Sequence, residues 1–232
     1  MYVALFFPLA ILSMFWGYHI YASANAAIHC MLLSNIMGQI DFQSGLASQS
    51  YYESAEIVDS YALMEQMLFF TSAACMAIWM ILCQRNARLF GHQGMKYGAG
   101  WAVFGFIVPI LNLVRPLQVV EEIYATSHPN ALPANEEEGS LWKSIHASRM
   151  VFIWWVVWLL FIFSRIFRLF HNPSPEVISE VQTSIQAQGV SALLDTLRLL
   201  FTFYIVFMIA LLQHKSSALQ QSRVLEENEL IS

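Results

Sequence analysis

The sequence predicts an all-α membrane protein, a polytopic helix bundle with four transmembrane helices and one proline-broken segment. Hydrophobic residues make up 57% of the 232 residues and charged residues only 12%, whereas about a quarter of a soluble domain is charged. Four apolar stretches have the length of roughly 20 residues that crosses a bilayer, and they occupy residues 2–21, 61–82, 150–170 and 193–213. We therefore expect a single integral membrane domain over residues 1–232.

The first stretch, residues 2–21, is expected to remain as a membrane anchor. The triplet Ala22-Ser23-Ala24 resembles the cleavage site of a secretory signal peptide. However, no basic residue precedes the stretch, and its apolar run is longer than the core of a signal peptide, which has about 7–15 residues. These two features favour retention.

The distribution of basic residues predicts the orientation, because short loops rich in Lys and Arg stay in the cytoplasm. The connection 22–60 contains neither, so we expect an outer loop, and we expect a second outer loop at 171–192. The connection after the second span carries Arg85, Arg88 and Lys96 and should lie inside. Within the second outer loop, Ser174 and Pro175 predict the start of a helix.

Residues 101–126 form an apolar segment that is interrupted by two prolines, an asparagine and an arginine. Pro116 biases Arg115 away from helical geometry. The two halves of the segment have eleven residues each, so each reaches about 16 Å, roughly half of the hydrocarbon core. A re-entrant or interfacial segment fits these lengths, and a kinked full span is the alternative. A re-entrant segment places the acidic loop 127–147 and both termini in the cytoplasm.

A specific pattern surrounds this segment. An Arg-Asn-Ala triplet precedes it, and a Trp-Trp-x-x-Trp motif follows on the third span. With this pattern the chain resembles the bacterial multi-pass membrane family called domain of unknown function 4328, over about residues 61–213. The matching residues are Asn86, Trp101, Pro109, Asn112, Leu113, Pro116, Glu122, Trp154 and Trp155. The resemblance implies a helix bundle of the bacterial inner membrane and no assigned activity.

Four polar side chains of the segment would share one face of a continuous helix, and they are Asn112, Arg115, Gln118 and Glu122. Lipid tails offer them no hydrogen bonds, so this face must meet protein, water or headgroups. One interpretation is an internal clamp, in which Arg115 pairs with a carboxylate and Asn112 closes a helix end. A second interpretation is a cytoplasmic site, in which Arg115 and the amides near Pro116 bind an anion or a lipid headgroup. Transport of a small solute is a third.

The tryptophans of the third span also have two interpretations. Trp154 and Trp158 share a helix face, and Trp155 points elsewhere. Tryptophans near the start of a membrane helix commonly anchor it at the interface, and the sharper interpretation is a stacking platform for a cofactor.

Charged residues inside the spans are expected to find partners. Arg165 and Arg168 should either reach outward to water or pair with Glu176, Glu180 or Asp195. Glu65 should either meet water or pair inside the bundle.

The sequence predicts no enzyme, no cofactor and no metal site. Its histidines are scattered, and Cys75 and Cys83 lie more than two helical turns apart. It contains no metalloprotease, phosphate-loop or nucleophile-elbow motif. A formal charge of −5 without a basic patch argues against nucleic-acid binding.

We predict a multi-pass accessory or interaction protein of the inner membrane. Its expected partners are the lipid bilayer, an anionic lipid, and a membrane protein or further copies of the same chain. The alternative is a small-solute transporter or a channel subunit.

Overall fold

The computed structural model describes residues 6–37, 49–98, 100–101, 104–105, 108–133, 136–170 and 178–231. Its α-helices with defined ends are α1 (Phe6–Met37), α2 (Gln49–Leu89), α3 (Pro109–Asn112), α4 (Arg115–Ser127), α5 (Arg149–Phe170) and α6 (Ile178–Ile231). Two 3₁₀-helices, Pro129–Ala131 and Glu136–Ser144, connect α4 to α5. The described part of the chain contains no β-strand, and the predicted all-α class is confirmed.

Within the described residues, three helices are long and apolar enough to span a membrane. The candidate spans are Glu56–Leu89 in α2, Arg149–Arg168 in α5 and Gln182–Glu229 in α6. Large apolar side chains on these helices are exposed, among them Phe70 at 66% and Phe163 at 54%. Together with the length and hydropathy of the helices, these exposed apolar side chains indicate a membrane protein. Residues 2–5 of the predicted first span lie outside the described residues, and the remainder belongs to α1.

The helices extend beyond the predicted spans. Residues 22–37 continue α1, residues 49–60 belong to α2, and α6 continues to Ile231. The reason is local, because α2 contains neither proline nor glycine to interrupt it. The predicted helix start at Ser174 and Pro175 falls outside the described residues.

Helix α2 ends in a Schellman motif. Gly91 has a φ of 87°, in the left-handed region that suits glycine. The amides of Gly91 and His92 donate to the carbonyl oxygens of Arg88 and Ala87 at 3.1 and 3.2 Å. This stop directs the chain into the 92–98 loop, which contributes to the candidate site.

The chain divides into two compact units. Unit 1 comprises Met1–Ser13, Ala73–Trp155 and Thr202–Ser232, and unit 2 comprises Met14–Ser72 and Val156–Phe201. In unit 1, the inner face of α4 is fully buried at Val119, Val120 and Ile123.

Unit 2 brings α1, the first part of α2 and part of α6 together through small residues. One buried cluster consists of Ala26, Ala27, Tyr61 and Ala192. Gly189 marks the closest approach, since a Cβ placed there would lie 2.9 Å from the Cβ of Cys30. Small residues allow such close helix contacts within a membrane.

The interrupted segment forms two helices instead of one. Helix α3 has four residues, α4 has thirteen, and Leu113 and Val114 separate them. Both prolines lie at helix starts, Pro109 in α3 and Pro116 in α4, where a missing N–H costs no helical hydrogen bond. Asn112 therefore lies on a different helix from the three polar residues that follow it.

Candidate functional site

The site centres on Arg115, the first residue of α4. Its Nη1 donates hydrogen bonds to the Oη atom of Tyr97 at 3.1 Å and to Oε1 of Gln118 at 2.9 Å. Its Cζ also lies 5.4 Å from the ring centroid of Tyr97 and 4.9 Å from that of Trp101. Aromatic faces attract a guanidinium at such distances. The half-buried side chain is thus fixed by neutral groups.

The clamp interpretation requires a carboxylate beside Arg115, and no carboxylate of the described residues forms an ion pair with it. Within the described residues, every ion pair involves Glu65 or Asp195, and none involves Arg115. Its Nε and Nη2 atoms likewise form no hydrogen bond within this part of the chain. Among the residues that the structure describes, Arg115 is therefore a positioned cation without a counter-charge.

Glu122 binds backbone amides, whereas the clamp interpretation has a carboxylate bind the guanidinium of Arg115. Its two carboxylate oxygens accept hydrogen bonds from the backbone amides of Lys96 at 2.7 Å and Tyr97 at 3.0 Å. Burial raises the pKa of the Glu122 carboxyl, while the two amide donors act in the opposite direction. Glu122 thus ties the 92–98 loop to α4 and places Tyr97 next to Arg115.

Two side chains complete this arrangement. The hydroxyl of Tyr97 donates to Oε1 of Gln118 at 2.8 Å. The Nε1 atom of Trp155 donates to the carbonyl oxygen of Leu113 at 2.9 Å, and that carbonyl lies at the interruption between α3 and α4. Carbonyl groups near helix ends need such outside donors. The broken backbone is consequently supported by the indole of Trp155.

The other tryptophans of α5 are buried inside their own units. Trp154 is 1% exposed and donates its indole N–H to Oγ1 of Thr202 at 2.9 Å. Trp158 is 5% exposed. Neither ring offers the open face that a stacking platform for a cofactor would need.

A neutral network ties α2, α4 and α6 together in unit 1. Asn86 donates to Oε1 of Gln213 at 2.9 Å. The Nε2 atom of Gln213 lies 3.1 Å from the carbonyl oxygen of Cys83 and 3.0 Å from Oγ of Ser127. Ser216 donates to the Ser127 carbonyl at 3.0 Å. Because these residues are buried, the network joins three helices by hydrogen bonds without any charge.

A polar cleft of about 350 Å³ adjoins the site. Gln118 and Glu122 line it together with the charged side chains of Lys96, Glu121 and Lys143 and with His146. Burial raises the pKa of Glu121. The cleft has room for a polar headgroup or a small solute.

The sequence-predicted residues thus separate into groups. Around Tyr97 the structure brings together Trp101, Arg115, Gln118 and Glu122, with Pro116 at the start of the same helix. Trp155 supports the interruption, whereas Asn86 and Trp154 belong to separate buried contacts. Asn112 is half-buried at the end of α3, and the side chain of Pro109 lies outside the described residues.

The family model described as "Domain of unknown function (DUF4328)" matches residues 43–214. The match covers most of the chain, including the whole interrupted segment and the tryptophans of α5. The chain belongs to this family. The resemblance seen in the sequence is therefore confirmed, and DUF4328 membership assigns no activity. No curated protein and no solved structure matches the chain.

Sequence reasoning missed Tyr97, which is the hub of the candidate site in this DUF4328 protein. Tyr97 lies in a loop, and its partners Arg115, Gln118 and Glu122 are 18 to 25 residues further along the chain. No helical periodicity links a loop residue to such partners. The sequence offered one signal, an aromatic residue among Gly94, Gly98 and Gly100.

Unit 2 of the DUF4328 chain contains a second polar cluster, built around Asp195. Its Oδ2 atom lies 2.8 Å from Nε2 of His19 and accepts a hydrogen bond of 3.4 Å from the hydroxyl of Tyr61. Its Oδ1 atom accepts from Nε of Arg198 at 2.9 Å. Asp195 and His19 are each 1% exposed. The cluster therefore places an ion pair deep inside the unit.

Ser72 extends this cluster into a serine–histidine–aspartate line. Its Oγ atom forms a hydrogen bond of 2.8 Å with Nδ1 of His19. A hydrolase would also need free backbone amides to stabilise an oxyanion. Ser72 lies within α2, where backbone amides are bonded to the preceding turn, and Asp195 is already neutralised by Arg198. Ser72, His19 and Asp195 thus have the residue types of a catalytic triad, and their contacts join α1, α2 and α6.

Glu65 pairs with two arginines inside unit 2, which is one of the two outcomes that the sequence predicted for it. Its Oε1 atom accepts hydrogen bonds from Nη1 of Arg165 at 2.6 Å and from Nη2 of Arg168 at 2.7 Å. The two arginines thus pair with Glu65 and not with Asp195, which binds Arg198 instead. The side chains of Glu176 and Glu180 lie outside the described residues.

Proposed function

We propose that this DUF4328 protein is a non-enzymatic accessory protein of the bacterial inner membrane that holds an anionic lipid headgroup at Arg115. The observation that carries the proposal is the setting of Arg115, whose partners Tyr97, Gln118 and Trp101 are all neutral. A partly buried charge without a counter-charge is unfavourable unless a ligand compensates it. A phosphate group would do so, because its oxygens match the planar donor geometry of guanidinium.

The surroundings of Arg115 favour a lipid over a soluble anion. Large apolar side chains near it in sequence are exposed, namely Trp101 at 38%, Phe104 at 61%, Ile110 at 80% and Val114 at 49%. A phospholipid would contact this apolar surface with its chains and the guanidinium with its phosphate. The same surface also suits a membrane protein partner or a further copy of the chain.

Lipid retention tests this proposal directly. Native mass spectrometry of the full chain in mild detergent should show bound phosphatidylglycerol that is lost from Arg115→Ala and partly kept by Arg115→Lys. Lys215→Ala is the matched control, because Lys215 is an exposed cation of the same unit and forms no ion pair within the described residues. Equal retention by wild type and Arg115→Ala would contradict the headgroup site. A co-purified membrane protein would support the accessory role.

The proposed topology has four spanning helices, with 101–126 returning to the cytoplasmic side and both termini inside. It is supported by the length of α4, whose thirteen residues reach about 20 Å, less than the roughly 30 Å of hydrocarbon.

Cysteine labelling tests the topology after replacement of Cys30, Cys75 and Cys83, which are all free. A cysteine at Ser140 should be labelled from inside and one at Ser184 from outside. The reverse pattern at both positions would contradict the re-entrant arrangement.

Transport of a small solute is the second candidate function, and the polar cleft of about 350 Å³ favours it. A transporter would need this cleft to continue across the membrane. Flux in proteoliposomes, lost on Glu121→Gln or Lys143→Ala, would replace the accessory role by transport.

A further inference from the structure

A second place in unit 1 combines two exposed arginines with a buried polar side chain. A cavity of about 340 Å³ lies beside the last turns of α2 and is lined by Ile81, Gln84, Arg85, Arg88 and Leu89. Residues three and four positions apart are neighbours on a helix surface, so these side chains form one continuous patch.

Gln84 is the unexplained member of this patch. It is 2% exposed, and within the described residues neither its Oε1 nor its Nε2 atom has a hydrogen-bond partner. Asn86, two residues further along α2, donates its amide to Gln213. Burying an amide without partners is unfavourable. Gln84 lines the cavity, and its amide can both donate and accept hydrogen bonds.

The two arginines supply positive charge to the same cavity. Both are exposed, and in the described part of the chain neither forms an ion pair. Arg88 is close enough to Glu122 to act on the pKa of that carboxyl, which it lowers, without contacting it directly. The dipole of α2 favours cations at this helix end and so accounts for the two arginines. It does not account for the amide of Gln84, which has no hydrogen-bond partner within the described residues.

We propose that this cavity binds a phosphate ester. Arg85 and Arg88 contact the phosphate oxygens, the amide of Gln84 bonds to an adjacent ester or hydroxyl oxygen, and Ile81 and Leu89 provide apolar contact. Guanidinium groups suit phosphate because several donors can meet its oxygens at once. The site is separate from Arg115 and does not depend on the function proposed there. Its ligand is either a phospholipid headgroup or a soluble phosphate.

Counting bound lipids separates the two sites. In native mass spectra of the full chain titrated with phosphatidylglycerol, Gln84→Leu and Arg85→Ala should each bind one lipid fewer than wild type, or bind it about tenfold more weakly. Arg115→Ala should remove a different lipid, so that Arg85→Ala/Arg115→Ala loses both. Lys215→Ala again serves as the control. If only Arg115→Ala leaves lipid binding unchanged, the proposed function is wrong and this inference holds. If only Arg85→Ala leaves lipid binding unchanged, this inference is wrong and the proposed function holds.

A second experiment identifies the source of the phosphate. Inorganic phosphate is titrated into the lipid-free protein in detergent while the unfolding temperature is followed. A rise in wild type that is absent from Gln84→Leu assigns the site to soluble phosphates, and a response to phosphatidylglycerol alone assigns it to lipid. Gln84→Leu should fold at least as well as wild type, because it removes the unsatisfied amide, and Arg85→Ala changes an exposed residue. Unchanged binding of both probes by both variants would overturn the proposal.

Discussion

The two units treat their positive charges differently. All three arginines of unit 2, Arg165, Arg168 and Arg198, form ion pairs with Glu65 or Asp195. In the described part of unit 1, no lysine or arginine forms an ion pair. Unit 1 instead joins its helices through neutral amides and hydroxyls, as the contacts of Gln213 show.

This difference separates structural charges from available ones. A buried ion with its counter-ion in place is satisfied internally, and its removal leaves the partner charge buried alone. A positioned cation with only neutral partners contributes little to the fold and can bind a ligand. Substitutions in unit 2 should therefore reduce stability, whereas substitutions of cations in unit 1 should change binding.

The largest loss of stability is expected for Asp195→Asn. The change leaves the charge of Arg198, itself 4% exposed, without its counter-ion, and breaking a buried pair costs about 3–5 kcal/mol. Unfolding in detergent, followed by circular dichroism, measures the effect. The double variant Asp195→Asn/Arg198→Gln should recover part of the loss. If Asp195→Asn is as stable as wild type, the cluster does not hold unit 2 together.

A smaller loss is expected for Glu65→Gln. The amide can accept from one arginine but supplies no charge to either, and both arginines are partly exposed, with side-chain exposures of 17% and 22%. Hydrogen bonds to charged groups contribute about 1.5–3 kcal/mol, and water around the arginines reduces the penalty. The same unfolding assay applies, with Glu56→Gln, an exposed carboxylate of the same unit, as the control. A loss as large as that of Asp195→Asn would contradict the ranking.

A loss of about 1–2 kcal/mol is expected for Gln213→Leu in unit 1, because three hydrogen bonds disappear in a buried site. The loss should not change with salt concentration, since no charge is involved. A salt-dependent loss would show that the network in unit 1 is coupled to charges. It would contradict the distinction between a neutral network in unit 1 and ion pairs in unit 2.

The all-α class followed from composition and from the apolar stretches, because only helices and closed barrels can cross a membrane and apolar runs of about 20 residues favour helices. Pro109 and Pro116 likewise revealed the interruption, since proline restricts the backbone wherever it occurs. The partners of the charged residues could not be predicted from the sequence. Arg165 and Glu65 are 100 residues apart, and only the packing of α2 against α5 inside unit 2 brings them together. Tyr97 escaped notice because it lies in a loop, where no periodic pattern links a residue to its partners.

The most direct test of the distinction is the unfolding temperature of Arg115→Ala and of Asp195→Asn, each measured in detergent with and without phosphatidylglycerol. We predict that Arg115→Ala unfolds near the wild-type temperature without lipid and gains clearly less stability from phosphatidylglycerol than wild type does. Asp195→Asn should unfold at a lower temperature and keep that lipid-dependent gain. If Arg115→Ala is as destabilised as Asp195→Asn and responds fully to the lipid, Arg115 is a structural residue and the account is wrong.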